Sequence, residues 1–192
     1  MTTDLRALVV FADPSLHRSR ISRRVVEAVA GLPAVQVHDL YQRYPDFYID
    51  VRHERALLKA APLVVFVFQL GWYAMPALLK EWFDVVFKPE WAAQAPGRLH
   101  GKAAFAAVAC AGAPDDYRPG GRHARPIEDY LAPLEQTARA CGMDWLAPHV
   151  YYGAERAGPA DAEAAAQHAA RLRALLARRA GIPLENGDAH GT

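Results

Sequence analysis

The stretch from residue 110 to 126 carries the side chains best suited to chemistry in this 192-residue sequence. Tyr117 and His123 lie six residues apart in it, and either ring could donate a hydrogen bond or move a proton near neutral pH. Three glycines in the same stretch allow close backbone approach to a ligand. A loop this long is uncommon without a function, although each ring taken alone is more often a surface residue than a catalyst.

A second candidate stretch follows the apolar run at 63–68 and reads Leu70, Gly71, Trp72, Tyr73. Turns after buried strands are usually small and polar, because their backbone meets water. Large aromatic side chains at this place have two interpretations. They cap the hydrophobic core, or they form a wall against which a flat ligand stacks.

The third stretch, residues 12–22, precedes a predicted helix. Ser19 is placed to cap that helix, and exposed N–H groups at a helix start bind phosphate. Arg18 and Arg20 add positive charge, but an ordinary cap with solvated arginines is the more usual explanation of such a stretch. The stretch lacks both the G-x-G-x-x-G and the Walker lysine patterns. A nucleic-acid patch is disfavoured, because helical spacing spreads its arginines around the helix.

Other chemistries find little support in the sequence. Cys110 is a candidate thiol nucleophile, but a single cysteine at the end of a small-residue strand usually packs in the core. The eight histidines and two cysteines show no spacing typical of a metal site, so no metal ligands are predicted. A G-x-S-x-G motif, expected of a serine hydrolase, is missing.

The elements that must position these stretches alternate between strand and helix. Near-continuous apolar strands are typical of a parallel sheet covered on both faces, so the sequence predicts a doubly wound, five-stranded α/β fold. Ligands of such sheets lie beyond the carboxyl ends of the strands, where the strand order reverses. The predicted strands cover 5–11, 34–40, 63–68, 102–110 and 145–152, the last interrupted by Pro148, and the predicted helices cover 20–30, 51–60, 76–86, 127–141 and 160–179.

Composition narrows the class of protein. The length and a hydrophobic content of 52% predict one domain over residues 1–180, followed by a flexible tail at 181–192. A net charge of +1 provides no broad basic surface to which nucleic acid could bind. Two cysteines fit a reducing compartment, and the sequence shows neither a secretion signal nor an apolar run long enough to cross a bilayer. We expect a cytoplasmic protein.

Three segments together resemble one known family. They are "VHDLYQRYPDFYID" at 37–50, "GWYAMPALLKEWFDVV" at 71–86 and "DYRPGGRHARPIEDYLAPLEQTARACGM" at 116–143. They are similar to the flavodoxin-like NAD(P)H:quinone oxidoreductases, and most of all to ancillary subunits of bacterial glutathione-regulated potassium-efflux systems. The similarity covers residues 5–153.

The resemblance implies an enzyme that binds FMN or FAD at the carboxyl ends of the strands, in a homodimer with both sites at the subunit interface. NAD(P)H and a quinone would use the same flavin face in turn, with ping-pong kinetics, and a potassium-efflux antiporter would bring the protein to the inner face of the membrane. Tyr117 and His123 match the pair that hydrogen-bonds the substrate oxygen and balances charge on the reduced flavin. The residues that match the flavin-binding segments are Ser19, Arg20, Ile21 and Ser22 for the phosphate, Leu70, Gly71, Trp72 and Tyr73 for the ring, and Ala109, Cys110, Ala111 and Gly112 for its polar edge.

The sequence departs from the family pattern at three places. Asp13 replaces a histidine and puts a carboxylate near the phosphate segment, which should weaken anion binding. Gln69 replaces a proline, and the residues at 109–112 lose two hydroxyls and one glycine. These departures leave open an alternative function, a non-catalytic regulatory subunit of a potassium/proton antiporter with weakened flavin binding.

Overall fold

In the computed structural model, residues 4–14, 20–93, 97–155 and 159–184 are described. The strands are β1 (Ala7–Ala12), β2 (Val35–Asp39), β3 (Leu63–Gln69), β4 (Ala103–Cys110), β5 (Asp144–Trp145) and β6 (His149–Tyr152). The helices are α1 (Arg20–Ala30), α2 (Leu40–Arg43), α3 (Val51–Ala60), α4 (Ala77–Val86), α5 (Pro89–Ala92), α6 (Ile127–Ala140) and α7 (Pro159–Ala180), with one 3-10 turn at Pro114–Asp116.

The strands form one parallel sheet in the order β2-β1-β3-β4-β5, and β6 also pairs with β4. β5 and β6 are the two parts of the predicted fifth strand, separated around Pro148, which has no N–H for the ladder. The predicted doubly wound fold is therefore confirmed. The short helices α2 and α5 and the 3-10 turn were not predicted, because four residues or fewer carry no readable helical period.

Both faces of the sheet are covered, as the continuous apolar strands predicted. In β1, Leu8 and Val10 pack in a core with α3, α4 and α6, while Val9 and Phe11 pack in a second core with α1 and α7. This alternation follows from the period of two along a strand. The predicted inward stripe of α4 is confirmed, since Leu79, Trp82, Phe83 and Val86 are all buried. Among the described helices, none is both long enough and apolar enough to cross a membrane.

The segment at 37–50, one of the three that resemble the known family, stabilises the fold. Asp39 caps α2 by accepting the Gln42 N–H at 3.1 Å, and Asp50 caps α3 by accepting the His53 N–H at 3.0 Å. Side-chain caps of this kind each stabilise a helix by about 1 kcal/mol. The aspartates of this motif therefore fix the path from β2 into α3.

A buried polar network centred on Glu54 was not predicted from the sequence. The Glu54 side chain is fully buried and accepts hydrogen bonds from His38 Nε2 at 2.8 Å, from Trp82 Nε1 at 2.8 Å and from the Tyr44 hydroxyl. Burial acts to raise the pKa of Glu54, but these three donors together hold it below its ordinary value. Glu54 therefore serves as a buried anionic anchor that joins β2, α3 and α4.

The same network places His38, His53 and Glu54 with one potential metal-ligand atom each within 4.8 Å of one another. This proximity was not apparent from their spacing in the sequence. Both oxygens of Glu54 already accept hydrogen bonds from protein donors, so a metal ion would have to displace them. We therefore interpret the cluster as part of the fold.

Two histidines stack against each other between the sheet and α7. The rings of His149 and His168 lie 4.2 Å apart at an angle of 19°, and His168 is buried. Burial lowers the pKa of His168 to about 3, with further lowering from His149 and Arg171, and burial also lowers the pKa of His149. Both rings are consequently neutral in the folded protein near pH 7.

We expect the protein to lose stability as the pH falls from about 7 towards 5. The unfolded chain binds a proton at His168 near its ordinary pKa of about 6.5, whereas the folded chain does not, so acid favours unfolding by about 2 kcal/mol at pH 5. Urea titrations at pH 7.5 and pH 5 would measure this difference. His168→Phe keeps a ring beside His149 and should remove much of the pH dependence; an unchanged dependence in that variant would contradict the assignment.

Candidate active site

The candidate site lies at the carboxyl ends of β1, β3 and β4, which are neighbours in the sheet. These strands end at Ala12, Gln69 and Cys110, so the three loops singled out from the sequence begin at the same edge. The Leu70 N–H donates to the Ala109 carbonyl at 2.8 Å and holds the second loop against the third. The predicted location of these loops is thereby confirmed.

The turn after β3 is tight and strained. Gly71 and Ala74 exchange two backbone hydrogen bonds of 3.1 Å each, which closes a two-residue turn around Trp72 and Tyr73. Both aromatic residues have positive φ, 47° and 65°, a backbone region that costs ordinary residues about 1–2 kcal/mol. Turns of this kind normally hold asparagine or glycine. The aromatic residues here adopt a backbone conformation against their own preference, and strain of this kind is common at functional sites.

The aromatic side chains of this turn do not cap the core. Trp72 is 94% exposed and Tyr73 is 47% exposed. A large apolar side chain this exposed contributes little to the packing of the fold. Of the two interpretations from the sequence, the core-capping one is therefore wrong for Trp72.

The second and third loops meet through Tyr73 and His123. The Tyr73 hydroxyl lies 3.3 Å from His123 Nδ1, and the Tyr73 ring stacks on Tyr130 with centroids 5.1 Å apart. The Tyr130 hydroxyl in turn donates to the His123 carbonyl at 2.5 Å. Tyr130 was not singled out from the sequence, because it lies on α6, where an aromatic side chain reads as a packing residue.

Tyr117 differs from the expectation that it is a surface residue: its side chain is only 7% exposed. Its ring lies 4.4 Å from that of His123, so the predicted pair is brought together. Burial and a hydrogen bond with Cys110 raise the pKa of Tyr117. This hydrogen bond places the hydroxyl of Tyr117 beside Cys110, the last residue of β4.

Cys110 is fully buried, as expected of a packing cysteine. Burial raises the pKa of its thiol to about 11, and Glu155 contributes to this rise. The thiol also donates to the Tyr151 carbonyl, with 3.6 Å between sulfur and oxygen. A thiol protonated at neutral pH is a poor nucleophile, which argues against cysteine-based catalysis.

Two glycines allow the third loop to fold tightly. A Cβ atom on Gly112, whose φ is +78°, would lie 2.7 Å from Asp116 Oδ2 and 3.2 Å from His123 Nε2. A Cβ atom on Gly121 would lie 2.5 Å from the Asp115 carbonyl oxygen. A side chain at position 112 would displace His123 and Asp116, and one at position 121 would displace the 3-10 turn, so both glycines are needed for the conformation of this loop.

Two groups in the segments that match the family's flavin-binding segments already donate hydrogen bonds to carboxylates of the protein. Ser22, buried on α1, donates its hydroxyl to the carboxylate of Asp13, which is also buried. The Gly112 N–H donates to Glu155 Oε1 at 3.3 Å. Neither contact was predicted, because each joins residues that are distant in sequence or separated by a loop.

Several further candidate residues have simpler positions. Ile21 is buried in the core between α1 and the sheet, and Ala109 is buried at the end of β4. Ala111 is partly exposed in the third loop. Three of the predictions concern parts of the chain outside the described residues: Ser19, the side chain of Arg20, and residues 185–192 of the predicted tail.

Comparisons with known proteins show which family this chain resembles. A family model described as flavodoxin-like fold matches residues 6–176. The glutathione-regulated potassium-efflux system ancillary protein KefG of Cronobacter sakazakii is 40% identical over 157 residues, which are 81% of this chain and 85% of that relative.

Two solved structures extend the comparison. General stress protein 14 of Treponema denticola, in complex with FMN, is 28% identical with a TM-score of 0.85, over 90% of this chain and 98% of that chain. A protein described as a thermophilic tryptophan halogenase from Streptomycin violaceusniger is 34% identical with a TM-score of 0.81, over 88% of this chain and 98% of that chain. Their names differ, so a shared fold does not by itself define the reaction. The family match, the strand order and the position of the site together establish that this chain belongs to the flavodoxin-like fold family.

Proposed function

We propose that this protein binds a flavin, FMN or FAD, and reduces quinones with electrons from NAD(P)H, while also serving as an ancillary subunit of a potassium-efflux antiporter. One observation carries the proposal: Trp72 is held 94% exposed in a strained turn at the switch-point edge, beside the Tyr73–His123 contact. Such a side chain has no packing role and fits a flat partner.

The described residues offer polar groups that suit such a cofactor. His123 Nε2 is buried and has no hydrogen-bond partner among the described residues. It lies beside Gly112, where the absence of a Cβ atom allows the imidazole to approach the backbone of the third loop closely. Residues 70–73 would line the ring, residues 109–112 would meet its polar edge, and residues 19–22 would hold the phosphate.

A bound flavin would supply hydride transfer between nicotinamide and quinone. The protein would position the flavin and the substrates and would hold the proton that is donated to the substrate oxygen. When the Tyr73 hydroxyl donates to His123 Nδ1, the ring proton lies on Nε2, which can then donate to a substrate oxygen. Tyr117 packs against the His123 ring and keeps its orientation. His123 is accordingly the proposed catalytic residue, and Tyr117 and Tyr73 are positioning residues.

The absorption spectrum of the purified protein, before and after addition of FMN or FAD, tests the proposal. We expect the visible bands of an oxidised flavin, and chromatography of the released cofactor separates FMN from FAD. Steady-state kinetics with NAD(P)H and a quinone should give parallel double-reciprocal lines, since both substrates use one face. A dialysed protein that stays colourless in the presence of both flavins would refute the enzyme function.

A second candidate function is a regulatory subunit that has lost most of its affinity for flavin. The hydrogen bonds from Ser22 to Asp13 and from Gly112 to Glu155 favour it, because they occupy donors that a flavin would use. The name of the KefG relative also fits a regulatory role. A colourless protein that still binds a potassium-efflux antiporter, and so reaches the membrane surface through that partner, would support this function over the enzyme.

The proposal includes a homodimer formed through the exposed aromatic edge. Tyr48 is 84% exposed and Phe47 is 43% exposed, and Phe47 contacts Tyr41, whose hydroxyl binds the Leu78 N–H at the start of α4. This edge thus lies beside the start of α4, the helix that follows the Trp72 turn. Stable interfaces bury about 800 Å² on each partner and favour aromatic side chains.

Light scattering should therefore report twice the chain mass of 21.1 kDa, and Tyr48→Asp should shift the protein towards the monomer. The substitution places a charge at an interface but leaves the monomer core untouched, so thermal unfolding of the monomer should change little. Arg139→Asp, a change of charge on the exposed face of α6, is the control. A wild-type protein that is monomeric at high micromolar concentration would refute the dimer.

A further inference from the structure

An open groove lies on the outer face of α3, away from the candidate site. It has a volume of about 720 Å³ and is lined by Arg52, Arg55, Lys59 and Trp91, together with small side chains of α3. The Arg55 side chain donates from Nε to the Val86 carbonyl at 3.0 Å, at the carboxyl end of α4. The aromatic turn precedes the opposite end of α4, a helix of ten residues and about 15 Å. The groove is therefore separate from the proposed flavin site.

The groove concentrates positive charge without internal compensation. Within the described part of the chain, no carboxylate forms an ion pair with Arg52, Arg55 or Lys59. Glu90, which neighbours Trp91 in sequence, forms none either. The guanidinium of Arg55 lies 4.8 Å from the centre of the Trp91 ring, so this arginine is held in place between the ring and the Val86 carbonyl. An arginine fixed in this way is preorganised for an anionic partner.

We propose that this groove binds an acidic peptide segment of a partner protein. Arg52 and Lys59 are seven residues apart on one helix, a rise of about 10 Å, so the cationic residues follow one another along the groove, which suits a series of anionic groups. In a polyproline II segment, which has three residues per turn, two carboxylates three residues apart lie on the same side and are separated by about 9 Å, close to this spacing. Arg55 lies between them and can donate hydrogen bonds to either carboxylate, and Trp91 offers an apolar surface for a neighbouring side chain.

Other macromolecules fit the groove less well. Lipid surfaces are recognised by clusters of about four to eight basic residues, more than the three cations here. Nucleic acids require a longer basic track, and the net charge of the chain is only +1. Because the groove is remote from the aromatic turn, the inference holds whether or not the protein binds flavin.

Fluorescence anisotropy of a labelled twelve-residue peptide, with glutamate at every third position and leucine and serine between, tests the proposal on the full chain. We expect saturable binding that weakens at least tenfold when glutamine replaces glutamate, and again when salt rises from low to physiological levels. The double variant Arg52→Glu/Lys59→Glu should weaken binding at least tenfold. Both side chains are exposed, so the fold should be unaffected.

The matched control is Arg171→Glu/Arg178→Glu, which makes the same change of charge at the same spacing on exposed positions of α7. It should leave the affinity for the peptide within twofold of the wild type. Equal losses in the two double variants, or equal affinity for the glutamate and glutamine peptides, would overturn the proposal. Binding to phosphatidylserine vesicles but not to the peptide, lost in the α3 variant, would assign the groove to a membrane surface instead.

Discussion

Replacing Glu54 by leucine should lower the free energy of unfolding by about 3–5 kcal/mol. The carboxylate is fully buried and accepts hydrogen bonds from His38, Tyr44 and Trp82. Leucine has a similar volume, so the loss arises mainly from three buried donors left without an acceptor. Urea denaturation at pH 7, followed by far-ultraviolet circular dichroism, would measure it.

Two further variants make this prediction specific. Glu54→Gln keeps an acceptor and the shape of the side chain, so it should lose about 1–3 kcal/mol and remain measurable where the leucine variant fails to fold. Glu81→Leu changes an exposed glutamate on α4 and should shift stability by no more than about 0.5 kcal/mol. A loss below 1 kcal/mol in Glu54→Leu would show that the network does not anchor the fold.

The second large effect concerns Trp72. Replacing it by alanine should weaken flavin binding by about 1–3 kcal/mol, roughly 5- to 150-fold in Kd, if the indole stacks on the flavin ring. Because the side chain is 94% exposed, the substitution should leave the stability of the flavin-free chain nearly unchanged. Titration of flavin fluorescence would give the affinity, and thermal unfolding would give the stability.

The variant Trp72→Asn distinguishes the loss of stacking on the flavin from a change in the backbone strain of the turn. Asparagine tolerates positive φ, so this variant should keep the turn and match or exceed the wild-type stability without flavin, yet bind flavin as poorly as the alanine variant. Trp72→Phe, which retains a ring, should recover most of the affinity. Unchanged affinity in both Trp72→Ala and Trp72→Asn would remove Trp72 from the binding site.

The motif at 37–50 shows how a family signature can identify a fold without marking its site. Its aspartates cap α2 and α3, and its Tyr44 donates to the buried Glu54. The exposed Phe47 and Tyr48 of the same motif have no such role, and we assign them to the proposed dimer interface. The Trp72 turn, by contrast, is too exposed and too strained to be explained by the fold.

The sequence alone was sufficient to predict the alternation of strands and helices and the edge of the sheet at which the site would lie. Apolar runs, helical periods and turn residues are local signals, and the carboxyl edge of a parallel sheet follows from the topology they predict. The same signals located the loops that hold Trp72 and His123.

The tertiary structure decided which polar groups meet. The contact of Tyr73 with His123, the burial of Tyr117 and the hydrogen bond from Ser22 to Asp13 join residues brought together only by the packed sheet and helices. The three donors around Glu54 come from β2, α4 and the loop after α2, and they have no common spacing in the sequence. Burial and pKa depend on neighbours in space, and a single sequence lists neighbours only along the chain.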